Sequence, residues 1–191
     1  MAGKQAKILS DAHISALRQY CLKSRNPLRN QAIVLLSAKA GLRAGEIAKL
    51  TWEMVLTPSG AIGSAIEIQN RIAKKGSGRS VPIHPELQKL LKRLLRNSPQ
   101  SGPVILSERG DRMTDISIVN WFAIAYRTLG LTGCSSHSGR RTFITRAARM
   151  VHKAGGSLRD VQLLAGHRSI QTTQRYIDAD SEAQRKLVSL L

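Results

Sequence analysis

Leu163-Leu164-Ala165-Gly166-His167-Arg168-Ser169-Ile170-Gln171-Thr172-Thr173-Gln174-Arg175-Tyr176 is the stretch on which the reading of this chain turns. Gly166 is suited to closing one helix and Ser169 to capping the next, a short helix predicted to bear Tyr176. A tyrosine hydroxyl is a poor nucleophile at neutral pH, because its pKa lies near ~10. It becomes useful where a cationic pocket stabilises the oxyanion and aims it at phosphorus. Whether the rest of the polypeptide supplies that pocket decides both fold and chemistry.

The charge balance says that it can. Thirty Lys and Arg against twelve Asp and Glu leave a formal charge of +18 on 191 residues. Such an excess points to a polyanionic partner, most often nucleic acid, whose phosphates exchange counterions for Lys and Arg. A merely basic, ribosomal-type protein is the plainer alternative. The hydrophobic fraction of 42% is ordinary for a folded domain and argues against disorder. Cys21 and Cys134 stand far apart, without the paired spacing of a zinc site or a disulfide framework, which fits a reduced, cytoplasmic setting. No apolar run reaches membrane-spanning length, and the basic N-terminus lacks the apolar segment of a signal peptide.

Upstream of residue 163 the pattern is mainly helical. Ser10 is a good N-cap for a first helix carrying Ile14, Leu17, Cys21 and Leu22 at helical spacing. A second helix runs from Pro27 to Ala40 and stops at Gly41, and its crowded Ile33, Val34, Leu35 and Leu36 predict burial all round. Leu42 to Leu50 reads as a short third helix. The period then changes: Ile62, Ile66 and Ile68 lie in a β-prone run, Lys74-Lys75-Gly76-Ser77-Gly78 is a basic hairpin tip, and Arg79 to Ile83 is the return strand. Helices resume at Pro85, with a stripe of Leu87, Leu90, Leu91, Leu94 and Leu95. Further helices follow from Asp115, carrying Ile118, Val119, Phe122, Tyr126 and Leu129, then over Gly139 to Ala154, then after the cap Ser157. The predicted fold class is mainly α with a small antiparallel β-sheet, in one domain spanning 1–191.

Four scattered pieces can build the cationic pocket: Arg43, the Lys74-Lys75 tip, His137-Ser138-Gly139-Arg140-Arg141, and His167 with Tyr176. Two arginines can grip the non-bridging oxygens of one phosphate through planar, bidentate forks. A lysine can protonate the leaving 5′ oxygen, and the histidines can carry the phenolic proton or donate to a phosphate oxygen. Tyr176 would attack and form a covalent ester, conserving the energy of the broken bond so that another 5′ hydroxyl can reseal the strand. No metal or cofactor is needed in this scheme, and the histidines lack the spacing of a metal motif.

These pieces, in this order, strongly resemble the catalytic domain of the tyrosine recombinase (phage integrase) family. Gly41-Leu42-Arg43-Ala44-Gly45-Glu46-Ile47 is similar to its first arginine box, His137 and Arg140 to its His-x-x-Arg box, and Gly166-His167 to its second histidine, with Tyr176 at the family's distance. The resemblance spans Ile8 to about Tyr176 and implies site-specific DNA recombination, by integration, excision or inversion, through a 3′-phosphotyrosyl intermediate. Its hairpin lysine falls on Lys74 when counted back from Arg79, with Lys75 as the alternative. Arg79, Arg141, Arg168 and Arg175, beside these boxes, are expected to contact DNA. The implied partners are double-stranded recognition sites, a homo-tetramer assembled on them and accessory DNA-binding proteins, in a cytoplasmic, nucleoid-associated setting. Residues 1–9 read as an N-terminal extension. The apolar tail 181–191 resembles the segment that family members pass to a neighbouring protomer.

Two departures stand out. Leucine usually precedes the arginine of the His-x-x-Arg box, whereas Gly139 stands here and is expected to loosen the helix start. The catalytic pattern also begins almost at Met1, so the chain resembles the compact members of the family and is expected to lack the N-terminal core-binding domain. Plainer readings stay open: Arg43 as an ion-pair partner of Glu46, the lysines as a solvated tip, and Arg140, Arg141, Arg146 and Arg149 as a general phosphate-contacting face. At the level of the whole chain the alternatives are a catalytically silent DNA-binding protein and a type IB-like topoisomerase.

Overall fold

The computed structural model describes residues 5–73, 76–176 and 188–189. By the clustering of its contacts the chain forms two compact units, Met1–Phe143 and Ile144–Leu191. The order of elements is α1 (Asp11–Leu22), α2 (Pro27–Lys39), α3 (Ala44–Lys49), β1 (Ala65–Ile68), β2 (Arg79–Pro82), α4 (Pro85–Leu95), α5 (Asp115–Thr128), α6 (Ser138–Met150), α7 (Leu158–Ala165) and α8 (Ile170–Gln174). No described helix is long and apolar enough to cross a membrane.

The first unit is built round α2. Residues 30 to 38 of that helix are all buried, as its crowded apolar sequence predicts, and it packs on α1, α3 and α4. Pro27 stands in the first turn, where its missing N–H is no loss. Gly41 ends the segment with φ 65°, and Leu42 N–H returns to Leu36 O at 3.0 Å. Ser10 caps α1 through a reciprocal pair: its Oγ accepts from His13 N–H at 3.1 Å, and His13 Nδ1 accepts from Ser10 N–H at 3.3 Å. Helix α4 turns Leu87, Leu90, Leu91 and Leu94 into the core and leaves Lys89, Lys92, Arg93 and Arg96 in water. Glu86 in its first turn pairs with Arg18 of α1 and, at 4.0 Å, with Lys39 of α2. The two strands pair antiparallel from Ala65↔Pro82 to Ile68↔Arg79, so Pro82 sits at the outer end of the ladder, away from the connecting segment.

Two boundaries and the facing of one residue differ from the sequence reading. The third helix begins at Ala44, because Leu42 is drawn fully into the core and Arg43 takes the cap position. The helix expected to reach Ala154 ends at Met150, and His152–Ala154 forms a separate 3₁₀ turn closed by Gly155 at φ 72°. On α5, Val119 faces outward at 41% exposure, since the buried stripe is Ile118, Phe122, Ala125 and Tyr126 and its neighbour in sequence lies a quarter-turn round. In the second unit α7 packs on α8. Ser157 opens α7 with its N–H on Asp160 Oδ2 at 2.7 Å, and Gly166 closes it in the left-handed conformation.

Candidate active site

Arg43 caps α3. Its N–H donates to Glu46 Oε2 and its Nη1 to Glu46 Oε1, each at 2.9 Å. A carboxylate in the first turn of a helix is favoured by the exposed N–H groups and the dipole there. Glu46, however, is only 2% exposed, and an unpaired buried carboxylate would be costly. The second cation comes from β2: Arg79 lays Nη1 on Oε1 at 2.9 Å and Nη2 on Oε2 at 3.0 Å. Burial pushes the Glu46 carboxyl up. The fork and charge of Arg79, then the N–H and charge of Arg43, outweigh it and hold the pKa at about 2. Two guanidiniums thus share one carboxylate. Arg79's side chain is 5% exposed and Arg43's 22%, so Arg43 is the arm that reaches solvent.

Arg140 sits in the first turn of α6, 4% exposed, and its Nη1 donates to Gly41 O at 2.6 Å. Gly41 lies two residues before Arg43, so the arginines of the two boxes are fastened to one short backbone segment. Only glycine fits there, because its φ is positive and a Cβ would stand 2.4 Å from Phe143 Cδ1. Gly139 tightens the helix start instead of loosening it: a Cβ at that position would lie 2.3 Å from Ser37 Oγ and 2.9 Å from Ser37 Cβ. The absent side chain lets α6 begin against α2. His137 is exposed just ahead of α6, with its carbonyl accepting from Arg141 N–H at 2.9 Å.

Two arginines read as DNA contacts have inward partners. Arg79 is spent on Glu46. Arg141 Nη1 donates to Ala6 O at 2.9 Å, fastening a strap of residues 5–9 whose Leu9 N–H also donates to Thr142 Oγ1 at 2.7 Å. Arg168 and Arg175 are exposed, as a surface contact requires.

In the second unit His167 and Tyr176 stack, their ring centroids 5.6 Å apart and their planes 24° from parallel. His167 Nδ1 and Thr173 Oγ1 are 3.0 Å apart, with Thr173 fully buried, so the hydroxyl fixes the ring's orientation. Gln162, also buried, accepts from His167 N–H at 3.1 Å and donates to His167 O at 2.9 Å. Tyr176 lies in the turn just beyond α8, not within the helix as expected, with its N–H on Thr173 O at 3.0 Å and its ring half-buried.

The structure therefore ties Arg140 to the backbone two residues before Arg43, and stacks His167 on Tyr176. Lys74 and Lys75 lie outside the described residues, as does all of the tail 181–191 except Val188 and Ser189. Among the described residues no group of three or more His, Cys, Asp or Glu could hold a metal ion. The sequence reading missed Thr173 and Gln162 and saw Glu46 only as a surface partner. The available signal for Glu46 was its place three residues after a helix cap, in an otherwise apolar turn.

Residues 7–183 match the model described as "Phage integrase family". A curated relative, the tyrosine recombinase XerC of Rhodospirillum centenum, is 31% identical over 162 residues, which are 81% of this chain and 44% of that protein. The tyrosine recombinase XerD of Ralstonia nicotianae is 30% identical over 194 residues, 95% of this chain and 58% of its own. The chain spans about half the length of the curated relatives it matches. Among solved structures the XerA recombinase superposes with a TM-score of 0.74 at 24% identity, covering 96% of this chain and 64% of that one. The Tn1549 transposon integrase in complex with transposon right end DNA gives 0.74 at 19% identity, covering 98% and 66%. These likenesses carry the fold.

Proposed function

The chain is a member of the phage integrase family, and from that premise we propose that it cuts and rejoins duplex DNA at specific sites through Tyr176. The observation that carries this reading is the stacked His167–Tyr176 pair, a half-buried phenol beside an imidazole whose orientation Thr173 fixes. Tyr176 Oη attacks the scissile phosphorus, and the 5′ oxygen leaves, so a 3′-phosphotyrosyl ester forms as the strand breaks. Arg43 and Arg140 hold the non-bridging oxygens, and His137 and His167 donate to them or carry the phenolic proton. Lys74, or Lys75 in its place, protonates the departing 5′ oxygen. Attack by another strand's 5′ hydroxyl reverses these steps and releases the tyrosine. Arg168 and Arg175 contribute to backbone contact. Residues 1–191 act as one catalytic domain, as a homo-oligomer on paired sites, with the tail exchanged between protomers.

The test uses a pool of nicked suicide duplexes of randomised sequence, from which the broken strand diffuses away after attack. A covalent protein–DNA adduct is expected, stable to detergent and abolished by Tyr176→Phe. No adduct across the pool, together with intact DNA binding, would favour a silent DNA-binding protein. An adduct with relaxation of a supercoiled plasmid, but without joining of two captured sites, would favour the topoisomerase reading.

A further inference from the structure

Arg79 is the residue whose chemistry the proposed reaction leaves unused. It opens β2 and, paired with Ile68, stands where the ladder gives way to the connecting segment 69–78. In a strongly basic chain such an arginine reads as a phosphate contact. Its geometry says otherwise: a 5%-exposed guanidinium with two parallel bonds to one carboxylate is a buried clamp, not a surface cation. The two ends of the segment are also tied to each other. Gly78 N–H donates to Asn70 Oδ1 at 2.8 Å, and a Cβ on Gly78 would lie 2.7 Å from that oxygen and 2.8 Å from Ile68 O.

We infer that Arg79 is a positioning residue, which acts through Glu46 to orient the Arg43 guanidinium toward the scissile phosphate. Glu46 is the hinge of this arrangement: each oxygen serves both arginines, one through side-chain bonds from both and the other through Arg79 and the Arg43 N–H. The Arg43 guanidinium makes one bond to Glu46 against two from Arg79, and it is the more exposed of the two. Were Arg79 lost, Glu46 would keep its place at the cap but would be a buried carboxylate short of one counter-charge. It would then draw Arg43 inward or take up a proton, and either outcome moves the arm that faces the substrate. The root of the hairpin and the first arginine box are thereby set by one carboxylate. This inference rests on the strand-transfer reading above.

The experiment compares Arg79→Met, Arg79→Lys and the double variant Arg79→Met/Glu46→Gln with the parent. Adduct formation on the nicked duplex pool is followed from pH 5 to 9, and the Glu46 carboxyl is titrated by ¹³C NMR of labelled glutamate. Arg79→Met is expected to slow adduct formation on the order of 10²-fold, the effect of a small misplacement of a positioning group. Its Glu46 titration rises and the acid limb of its rate profile rises with it. Arg79→Lys restores part of the rate, and the double variant exceeds Arg79→Met by removing the uncompensated charge. Equal rates and an unmoved pH profile for folded Arg79→Met would overturn the inference. So would weaker DNA binding with a shallower salt dependence and an unchanged bound-state rate, the signature of a phosphate contact. A parent that forms no adduct would overturn the reading underneath, and the NMR titration shows in that case whether the clamp itself is as described.

Discussion

Replacing Gly139 by alanine adds one methyl group where α6 begins against α2. The new Cβ would stand 2.3 Å from Ser37 Oγ, 2.9 Å from Ser37 Cβ and 3.2 Å from the Ser37 carbonyl carbon. Ser37 cannot retreat, since it is 1% exposed in the last turn of α2 with buried neighbours along its helix. The first turn of α6 must therefore move, and Arg140 with it, away from Gly41 O. Overpacking of this kind destabilises by about 1–3 kcal/mol. The Ser37 hydroxyl makes no hydrogen bond among the described residues, so Ser37→Ala alone is near neutral or stabilising. Alanine at 37 relieves the 2.3 Å contact but keeps the one at Cβ. Ser37→Gly relieves both, at about 1 kcal/mol for glycine within a helix. Urea unfolding of the four corners of the Ser37→Gly, Gly139→Ala cycle is the assay, with equal slopes confirming that stability alone has changed. The double variant is expected to be more stable than the sum of the single effects by at least 1 kcal/mol. A Gly139→Ala protein as stable as the parent, or strict additivity within about 0.5 kcal/mol, would refute the close approach of α6 to α2.

The Glu46 clamp should show in acid. Its carboxyl titrates at about 2 in the folded chain, against ~4.3 for an ordinary glutamate, so it stabilises fully above pH ~4.3 and progressively less as pH falls toward 2. The loss is on the order of 3 kcal/mol, read as the part of the parent's acid destabilisation missing from Glu46→Gln. The N-terminal strap depends on Arg141 and Thr142: Thr142→Val should raise hydrogen exchange at the Leu9 amide about fivefold, the worth of one net hydrogen bond, with Leu17 protection unchanged. An unaltered Leu9 amide would show the strap is held by something else. The cysteines should separate kinetically. Burial pushes the Cys21 thiol up to about 12, while Cys134 is half-buried, so Ellman's reagent should take one thiol in the native protein and the second only on unfolding.

How much of this was legible in the sequence depends on how far apart the deciding atoms stand. The leucine stripe of α4 and the caps at Ser10 and Ser157 are local patterns, and each appears where its spacing predicts. The boxes round Arg43, Arg140 and His167 are likewise short strings. What the sequence withheld were pairings between distant segments. Gly139 looked like a weak helix start because its neighbour Ser37, on another helix, is invisible along the chain. Arg79 looked like a phosphate contact because a formal charge of +18 makes every cation a candidate. It is claimed instead by a carboxylate 33 residues earlier, and Arg141 by a backbone carbonyl 135 residues earlier. Net charge therefore overstates the cations such a protein can offer to DNA: an arginine meets phosphate only after the acids and carbonyls inside the fold have taken their share. Each buried acid removes the cations that neutralise it from the binding surface, and Glu46, with two arginines on one carboxylate, removes Arg79 while leaving Arg43 at the edge of solvent.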